Sequence, residues 1–114
     1  MIVGTLRIHP LARRRSEVLE VFQSVQGRVA TQPGCLACHV YEEQGQEAAV
    51  VLVERWESRE ALEVHLRSET YRRILSAIEL SGAPPEVCFD FVSASEGMSL
   101  IERSREPVPE KNGE

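Results

Sequence analysis

The sequence predicts a single α+β domain, in which an antiparallel sheet carries helices on one of its faces. Short β-branched apolar runs alternate with stretches whose apolar residues recur every three or four positions. The order of these segments is strand, helix, strand, strand, helix, strand. At 114 residues, with 42% hydrophobic and 27% charged residues, the chain has the size and composition of one globular domain. We place this domain at residues 1–102 and expect residues 103–114 to be a charged, flexible tail.

The first predicted strand is the apolar run from Ile2 to Ile8, which Pro10 ends. From about Arg13 to Thr31, apolar residues recur at helical spacing and predict an amphipathic helix. The members of this apolar stripe are Val18, Phe22, Val25 and Val29. The helix is expected to stop at Gln32-Pro33-Gly34, since proline and glycine favour a turn there.

A predicted hairpin joins strand two, about Cys35 to Glu43, to strand three, about Ala48 to Trp56, through the polar turn Gln44 to Glu47. Positions Val50 to Val53 are all apolar, so strand three has apolar side chains on both of its faces. A strand of this kind needs cover on both sides. Because one layer of helices covers only one face, we predict that the other face packs on a second subunit.

Two serines mark predicted helix starts after strand three. Ser58 and Ser68 are both good N-caps, so the helical region is expected to be broken or kinked near Ser68. Beyond Ser68, apolar residues fall at helical spacing: Tyr71, Ile74, Leu75 and Ile78. Strand four is predicted at Val87 to Val92, and an optional short strand at about Met98 to Glu102. This order is that of a ferredoxin-like fold, with helices on one face of the sheet.

Charge and hydropathy exclude several classes of function. The net charge is −5, whereas a nucleic-acid surface normally has a basic patch. The one basic cluster, Arg13-Arg14-Arg15, is followed by acidic residues and is interpreted as a solvated helix start. No run approaches the roughly 18 apolar residues of a membrane span. Because the sequence does not open with an apolar leader and a small-residue cleavage site, we expect a cytoplasmic protein.

The cysteines and histidines do not have the spacing of a metal-binding site. Cys35 and Cys38 are three apart in a predicted strand, where side chains alternate, so we expect them on opposite faces and interpret them as small buried residues. His9, His39 and His65 lack the paired spacing of metal ligands. Phosphate loops, nucleophile elbows and dinucleotide fingerprints are also absent from the sequence, so no cofactor is predicted.

Three stretches resemble the antibiotic biosynthesis monooxygenase family: "QPGCLACHVYEE", "VLVERWESREALEVHLRSETYR" and "PPEVCFDF". The resemblance covers about Ile2 to Val92, and "ERWES" followed by "AL..HL.S" is its most specific part. It implies a dimeric α+β barrel, a homodimer in which two ferredoxin-like sheets pack face to face. Some members of the family oxidise polycyclic phenols to quinones with molecular oxygen and without a metal or flavin, and others degrade haem.

The haem-degrading branch matches this sequence poorly. Its pattern has an asparagine on strand one, a tryptophan where His65 stands here, and an iron-binding histidine ten residues further on. In this chain the only asparagine is Asn112, and the position ten beyond His65 is Leu75. Haem degradation is therefore disfavoured.

Five residues are candidates for a site between helices and sheet: Glu54, Trp56, His65, Tyr71 and Leu75. His65 is either a satisfied core histidine or, as the resemblance implies, the catalytic base for a phenolic substrate. Trp56 and Tyr71 either pack the core or orient an aromatic ring. Glu54 needs a partner if it is buried, so a structural ion pair is the alternative to substrate binding. Leu75 is assigned to the substrate-binding wall.

Two functions are consistent with these residues. The first is a cofactor-independent monooxygenase acting on a phenolic or quinol-like small molecule, with His65 as proton acceptor. The second is a non-catalytic dimeric α+β barrel that binds a small ligand or a protein partner in a stress or regulatory role. The absence of a strand-one asparagine and the apolar Leu75 favour the second, since they leave few polar groups for chemistry.

Overall fold

The computed structural model describes residues 1–45 and 48–108. The helices and strands are β1 (Ile2–Ile8), α1 (Arg15–Ala30), β2 (Cys35–Glu42), β3 (Val50–Trp56), α2 (Arg59–Leu66), α3 (Glu69–Ile78), β4 (Glu86–Phe91) and α4 (Met98–Arg105). A short 3-10 turn, Ala12–Arg14, leads into α1. The predicted α+β class and the order of its first six elements are confirmed, with the second helical region divided into α2 and α3.

The four strands form one antiparallel sheet in the order β2-β3-β1-β4, which confirms the ferredoxin-like arrangement. On β1, Ile2, Leu6 and Ile8 are buried and alternate with partly exposed residues, because side chains along a strand alternate between the two faces. The buried stripe of α1 packs against this face, and its four members are those predicted from the spacing: Val18, Phe22, Val25 and Val29.

The break between α2 and α3 lies where the two serine caps predict it. Ser58 Oγ accepts a hydrogen bond from the Ala61 backbone N–H at 3.2 Å, and Ser68 Oγ accepts one from the Tyr71 N–H at 3.1 Å. Each bond satisfies a donor that would otherwise be left free at a helix start. The Ser68 cap therefore fixes where the chain turns from α2 into α3.

The optional fifth strand at Met98 to Glu102 is wrong, since these residues begin the helix α4. The alternation of Met98 and Leu100 imitates a strand, but methionine, leucine, glutamate and arginine are all good helix formers. α4 continues through Arg103 to Arg105, past the boundary predicted at residue 102, and none of its residues is buried. Residues 109–114 of the predicted tail lie outside the described residues, as do positions 46 and 47 of the predicted hairpin turn.

The prediction that Cys35 and Cys38 point to opposite faces is also wrong. An irregularity in β2 between Cys35 and Ala37 places Cys35 opposite Trp56 and Cys38 opposite Glu54. An extra residue in one strand shifts the alternation by one position, so side chains three apart share a face. Both free thiols therefore face the helical layer, with Cys38 buried in the core and Cys35 packed against it.

The opposite face of the sheet is the open face, defined by Val3, Thr5, Tyr41, Val51 and Val53. Tyr41 is 53% exposed, while Val3, Thr5 and Val53 are partly exposed. β3 thus carries apolar side chains on both faces of the sheet, as predicted. Whether a second subunit covers the open face is not tested by a single chain. Within residues 1–45 and 48–108, no helix has the length and apolar character needed to cross a membrane.

Candidate functional site

The candidate site is built around two polar side chains in the core. Among the described residues, Glu54 and His65 are the buried polar or charged groups, with 5% and 1% of their surface exposed. Glu54 Oε1 lies 2.9 Å from His65 Nε2. A carboxylate removed from water is costly unless it is paired, and His65 supplies the pairing group.

Aromatic rings enclose this pair. The Trp56 indole N–H donates to Glu54 Oε1 at 2.9 Å, because residues two apart on β3 share a face. The Trp56 and His65 rings stack with centroids 4.6 Å apart and planes 26° apart. Tyr71 meets His65 edge-on, with centroids 5.1 Å apart. The structure thus brings together four of the five predicted site residues.

The chain positions these groups through the turn that follows β3. Trp56 ends the strand, Ser58 begins α2, and His65 lies in the last turn of that helix. Ser68 Oγ also donates to the His65 carbonyl at 2.6 Å, which ties the end of α2 to the start of α3. Tyr71 then lies in the first turn of α3 and faces His65.

Gln32 belongs to the site and was missed from the sequence. Its Oε1 lies 2.7 Å from His65 Nδ1. The sequence indicates only that Gln32 sits in a turn after α1, and no local pattern reports a contact between residues 33 positions apart. Both ring nitrogens of His65 therefore face oxygen atoms, although the N–H at Nε2 is not aligned with Glu54 well enough to make a hydrogen bond.

The charge of Glu54 acts on the weakly acidic groups around it. Burial raises the pKa of the Tyr71 phenol, and the Glu54 carboxylate raises it further. Burial also raises the pKa of the Cys35 thiol. For Cys38 the effect is larger: burial, followed by the charges of Glu54 and Cys35, raises the pKa of this thiol from 9.0 to about 12. These groups stay protonated and neutral around a single buried carboxylate.

The Cys38 pKa predicts a loss of stability in alkali. The unfolded chain releases the thiol proton near its ordinary value of 9.0, while the folded chain holds it to about 12. The free energy of unfolding is therefore expected to fall as the pH rises from about 9 towards 12. Urea titrations across this range test the prediction, with Cys38→Ala as the comparison: a lower stability at neutral pH but a shallower alkaline decline. An equally steep decline in Cys38→Ala would contradict it.

A small cavity adjoins the pair on the side of β1 and β4. Its volume is about 10 Å³, close to the minimum for one water molecule. It is lined by Gly4, Thr5, Leu6, Leu52, Glu54, Tyr71, Val87 and Phe89. Gly4 lies opposite Glu54 in the sheet, and a Cβ there would come within 3.1 Å of the Phe89 ring. The missing side chain on Gly4 thus lets Phe89 cover this part of the sheet.

The cavity lies between α3 and β4, where Tyr71, Val87 and Phe89 line it. We call the apolar surface of these three side chains the groove. Val87 is 48% exposed, which leaves apolar surface beside the cavity open to a ligand. Leu75 follows Tyr71 by one helical turn but does not line the cavity, and neither do Trp56 and His65, which lie behind Glu54.

A larger cleft, of about 1080 Å³, lies at the other end of the sheet beside His9, Arg15, Glu43 and Glu86. Its charges are paired with each other: Arg7 Nε donates to Glu43 at 2.8 Å, and His9 Nε2 lies 3.2 Å from Glu86. Its lining also includes Gly45 and Ala48. The Glu54 cavity is the better candidate because it is lined by a buried carboxylate whose ion-pair partner, among residues 1–45 and 48–108, is His65 alone.

The histidines do not converge on a metal. His39 lies on the opposite face of β2 from Cys38 and pairs with Tyr41 at a centroid distance of 6.1 Å. Within the described ranges, no group of three histidine, cysteine, aspartate or glutamate side chains is placed to hold a metal ion.

Comparison with known proteins decides the family. A sequence model of the antibiotic biosynthesis monooxygenase family matches residues 1–77, which span β1 to α3 and include every member of the site described above except Val87 and Phe89. The chain belongs to the antibiotic biosynthesis monooxygenase family. No curated protein matches the sequence.

Several solved structures share the fold of this chain. An antibiotic biosynthesis monooxygenase is 19% identical, with a TM-score of 0.73 over 82% of this chain and 100% of its own. Rv0793 from Mycobacterium tuberculosis is 24% identical, with a TM-score of 0.75 over 84% of this chain and 98% of its own. PA3566 from Pseudomonas aeruginosa is 15% identical, with a TM-score of 0.71 over 82% and 94%. At these identities the likeness extends to the fold alone.

Proposed function

We propose that this family member is a monooxygenase that oxidises a phenolic or quinol-like small molecule with molecular oxygen. The observation that carries the proposal is the buried Glu54 carboxylate, which is paired with His65 and lines a cavity beside an apolar and aromatic groove. Buried acid–base groups beside an apolar recess are typical of active sites. The name of the family points to the same class of reaction.

The chemistry requires a base and an aromatic surface. Removal of the phenol proton gives an electron-rich anion that can pass an electron to dioxygen. One oxygen atom then enters the ring as a quinone carbonyl, and the other leaves as water with the two displaced hydrogens. The substrate supplies all the electrons, so the balance needs no external reductant. Glu54 and His65 supply the acid–base pair, while Tyr71 and Phe89 are the rings that face the groove.

In this proposal the substrate ring lies outside the cavity. A volume of about 10 Å³ admits a hydroxyl group or one water, but not an aromatic ring. The proposed position of the substrate hydroxyl is the cavity beside Glu54, with the ring against the exposed side chain of Val87. His65 contributes from behind Glu54 in this arrangement.

Oxygen uptake tests the proposal. Wild-type protein is expected to consume oxygen with at least one member of a panel of hydroquinones, naphthols and anthrone-like phenols. Glu54→Gln keeps the shape of the side chain but removes its basicity, so the rate should fall by about 10²-fold or more. Glu86→Gln, in the charged cleft at the far end of the sheet, is the matched control and should retain the rate. No uptake with any compound, or equal loss in both variants, would contradict the proposal.

We also propose that the protein is a homodimer through the open face. Val53 and Tyr41 present partly exposed surface there, and burying apolar surface in a symmetric contact is favourable. Light scattering at micromolar concentration should give twice the chain mass of 12.8 kDa. Val53→Arg should shift the protein to the monomer, while Arg72→Leu, on α3, should not. A monomeric wild type would contradict the prediction.

The small cavity favours a second function, a non-catalytic barrel that binds a small ligand. In that case a phenol would bind in the groove without oxygen uptake, and the Glu54–His65 pair would serve recognition only. Binding measured by chemical-shift changes, combined with the oxygen electrode, separates the two functions.

A further inference from the structure

The two oxygens of Glu54 lie in different environments. Oε1 accepts the Trp56 N–H and faces His65 Nε2, both at 2.9 Å. Oε2 makes no hydrogen bond within residues 1–45 and 48–108, and the Glu54 side chain lines the cavity beside Tyr71. One oxygen is therefore held by the protein, and the other is left for a ligand.

His65 has no comparable access. Its side chain is fully buried, with the Trp56 ring against one face and Tyr71 at its edge. Its two nitrogens face Gln32 and Glu54. A substrate could reach an imidazole nitrogen only by displacing one of these partners, whereas it reaches Glu54 through the cavity.

An oxygen atom faces each nitrogen of the His65 ring. Gln32 Oε1 lies 2.7 Å from Nδ1, and Glu54 Oε1 lies 2.9 Å from Nε2. Acceptor oxygens at both nitrogens suit a ring that carries a proton on each of them.

We propose, building on the proposed function, that Glu54 is the catalytic residue that takes the substrate proton and that Gln32 and His65 are positioning residues. The phenol O–H forms a hydrogen bond to Glu54 Oε2, and its proton moves to that oxygen as the phenolate forms. The imidazolium, held charged by Gln32, stabilises the negative charge across the site. The proton on Glu54 then goes to the reduced oxygen as it leaves as water.

Nitrogen-15 NMR of the imidazole tests the Gln32 step without any turnover. At neutral pH the wild type should show both ring nitrogens protonated. Gln32→Leu should convert His65 to a neutral ring, and Gln32→Glu, which keeps an acceptor oxygen at Nδ1, should restore the doubly protonated form. A neutral ring in the wild type, or a ring unchanged in Gln32→Leu, would overturn the role of Gln32.

Binding of 4-nitrophenol in weakly acidic buffer, where it keeps its phenolic proton and is poorly oxidised, tests the Glu54 contact separately from catalysis. Wild-type protein should bind it with chemical-shift changes at Tyr71 and Phe89, and Glu54→Gln should weaken binding about tenfold through loss of a charged acceptor. Glu86→Gln, in the charged cleft at the far end of the sheet, should bind as the wild type does. Equal affinity in Glu54→Gln would overturn the contact even if oxygen uptake is observed. Tight, Glu54-dependent binding without uptake would uphold the contact and refute the monooxygenase.

Discussion

Trp56→Ala is expected to lower the free energy of unfolding by about 3–5 kcal/mol. The side chain is fully buried, stacks on His65 and donates its N–H to Glu54. The substitution leaves a large void at the end of β3 and removes the indole N–H hydrogen bond to Glu54 Oε1. Urea denaturation followed by circular dichroism measures the loss.

Trp56→Phe separates the two contributions at this position. It keeps most of the ring but removes the N–H, so its cost should be the smaller one of an unsatisfied buried acceptor, about 1–3 kcal/mol. Equal stability of Trp56→Ala and the wild type would mean that the Trp56–His65 stack does not form.

The second large effect is expected from His65→Leu, with a loss of about 3–5 kcal/mol. Leucine fills much of the same volume but leaves the Glu54 carboxylate buried without its partner. Adding Glu54→Gln removes the unpaired charge, so the double variant should be more stable than His65→Leu alone. Urea unfolding of the four proteins gives the coupling between the two residues.

Arg72→Leu is the control for this cycle. Its ion pair with Glu69 is exposed, so its loss should change the free energy of unfolding by no more than about 0.5 kcal/mol. Additive effects of His65→Leu and Glu54→Gln would contradict a paired carboxylate and imidazole in the core.

The parts of the fold that follow from local periodicity were predictable. The apolar stripe of α1 repeats at helical spacing, and the same four residues are buried. The Ser58 and Ser68 caps act through bonds to residues three positions later, so sequence suffices to place them. The apolar run of β3 predicted cover on both of its faces, and the helical layer covers one of them.

The errors have physical causes that local patterns do not report. The bulge in β2 depends on how that strand aligns with β3, and it moved Cys35 onto the same face as Cys38. The segment after β4 has both strand-like alternation and helix-forming residues, and it forms α4. No short-range signal favours one over the other there.

The sequence supplied candidate site residues but not their arrangement. Trp56 and His65 were both predicted to lie between the helices and the sheet, and their rings stack. Glu54 lines the cavity and His65 does not. This difference depends on how deeply each side chain is buried in the packed structure, so the sequence does not reveal it. Gln32 reaches His65 across 33 positions of sequence, so only the folded chain reveals it.

The most direct test of the proposed monooxygenase uses oxygen-18 gas and mass spectrometry of the product. If the account is right, wild-type protein converts a phenol into a quinone that carries one labelled oxygen atom, and Glu54→Gln forms little of it while Glu86→Gln forms as much as the wild type. A quinone without label, or labelled quinone formed equally well by Glu54→Gln, would contradict it.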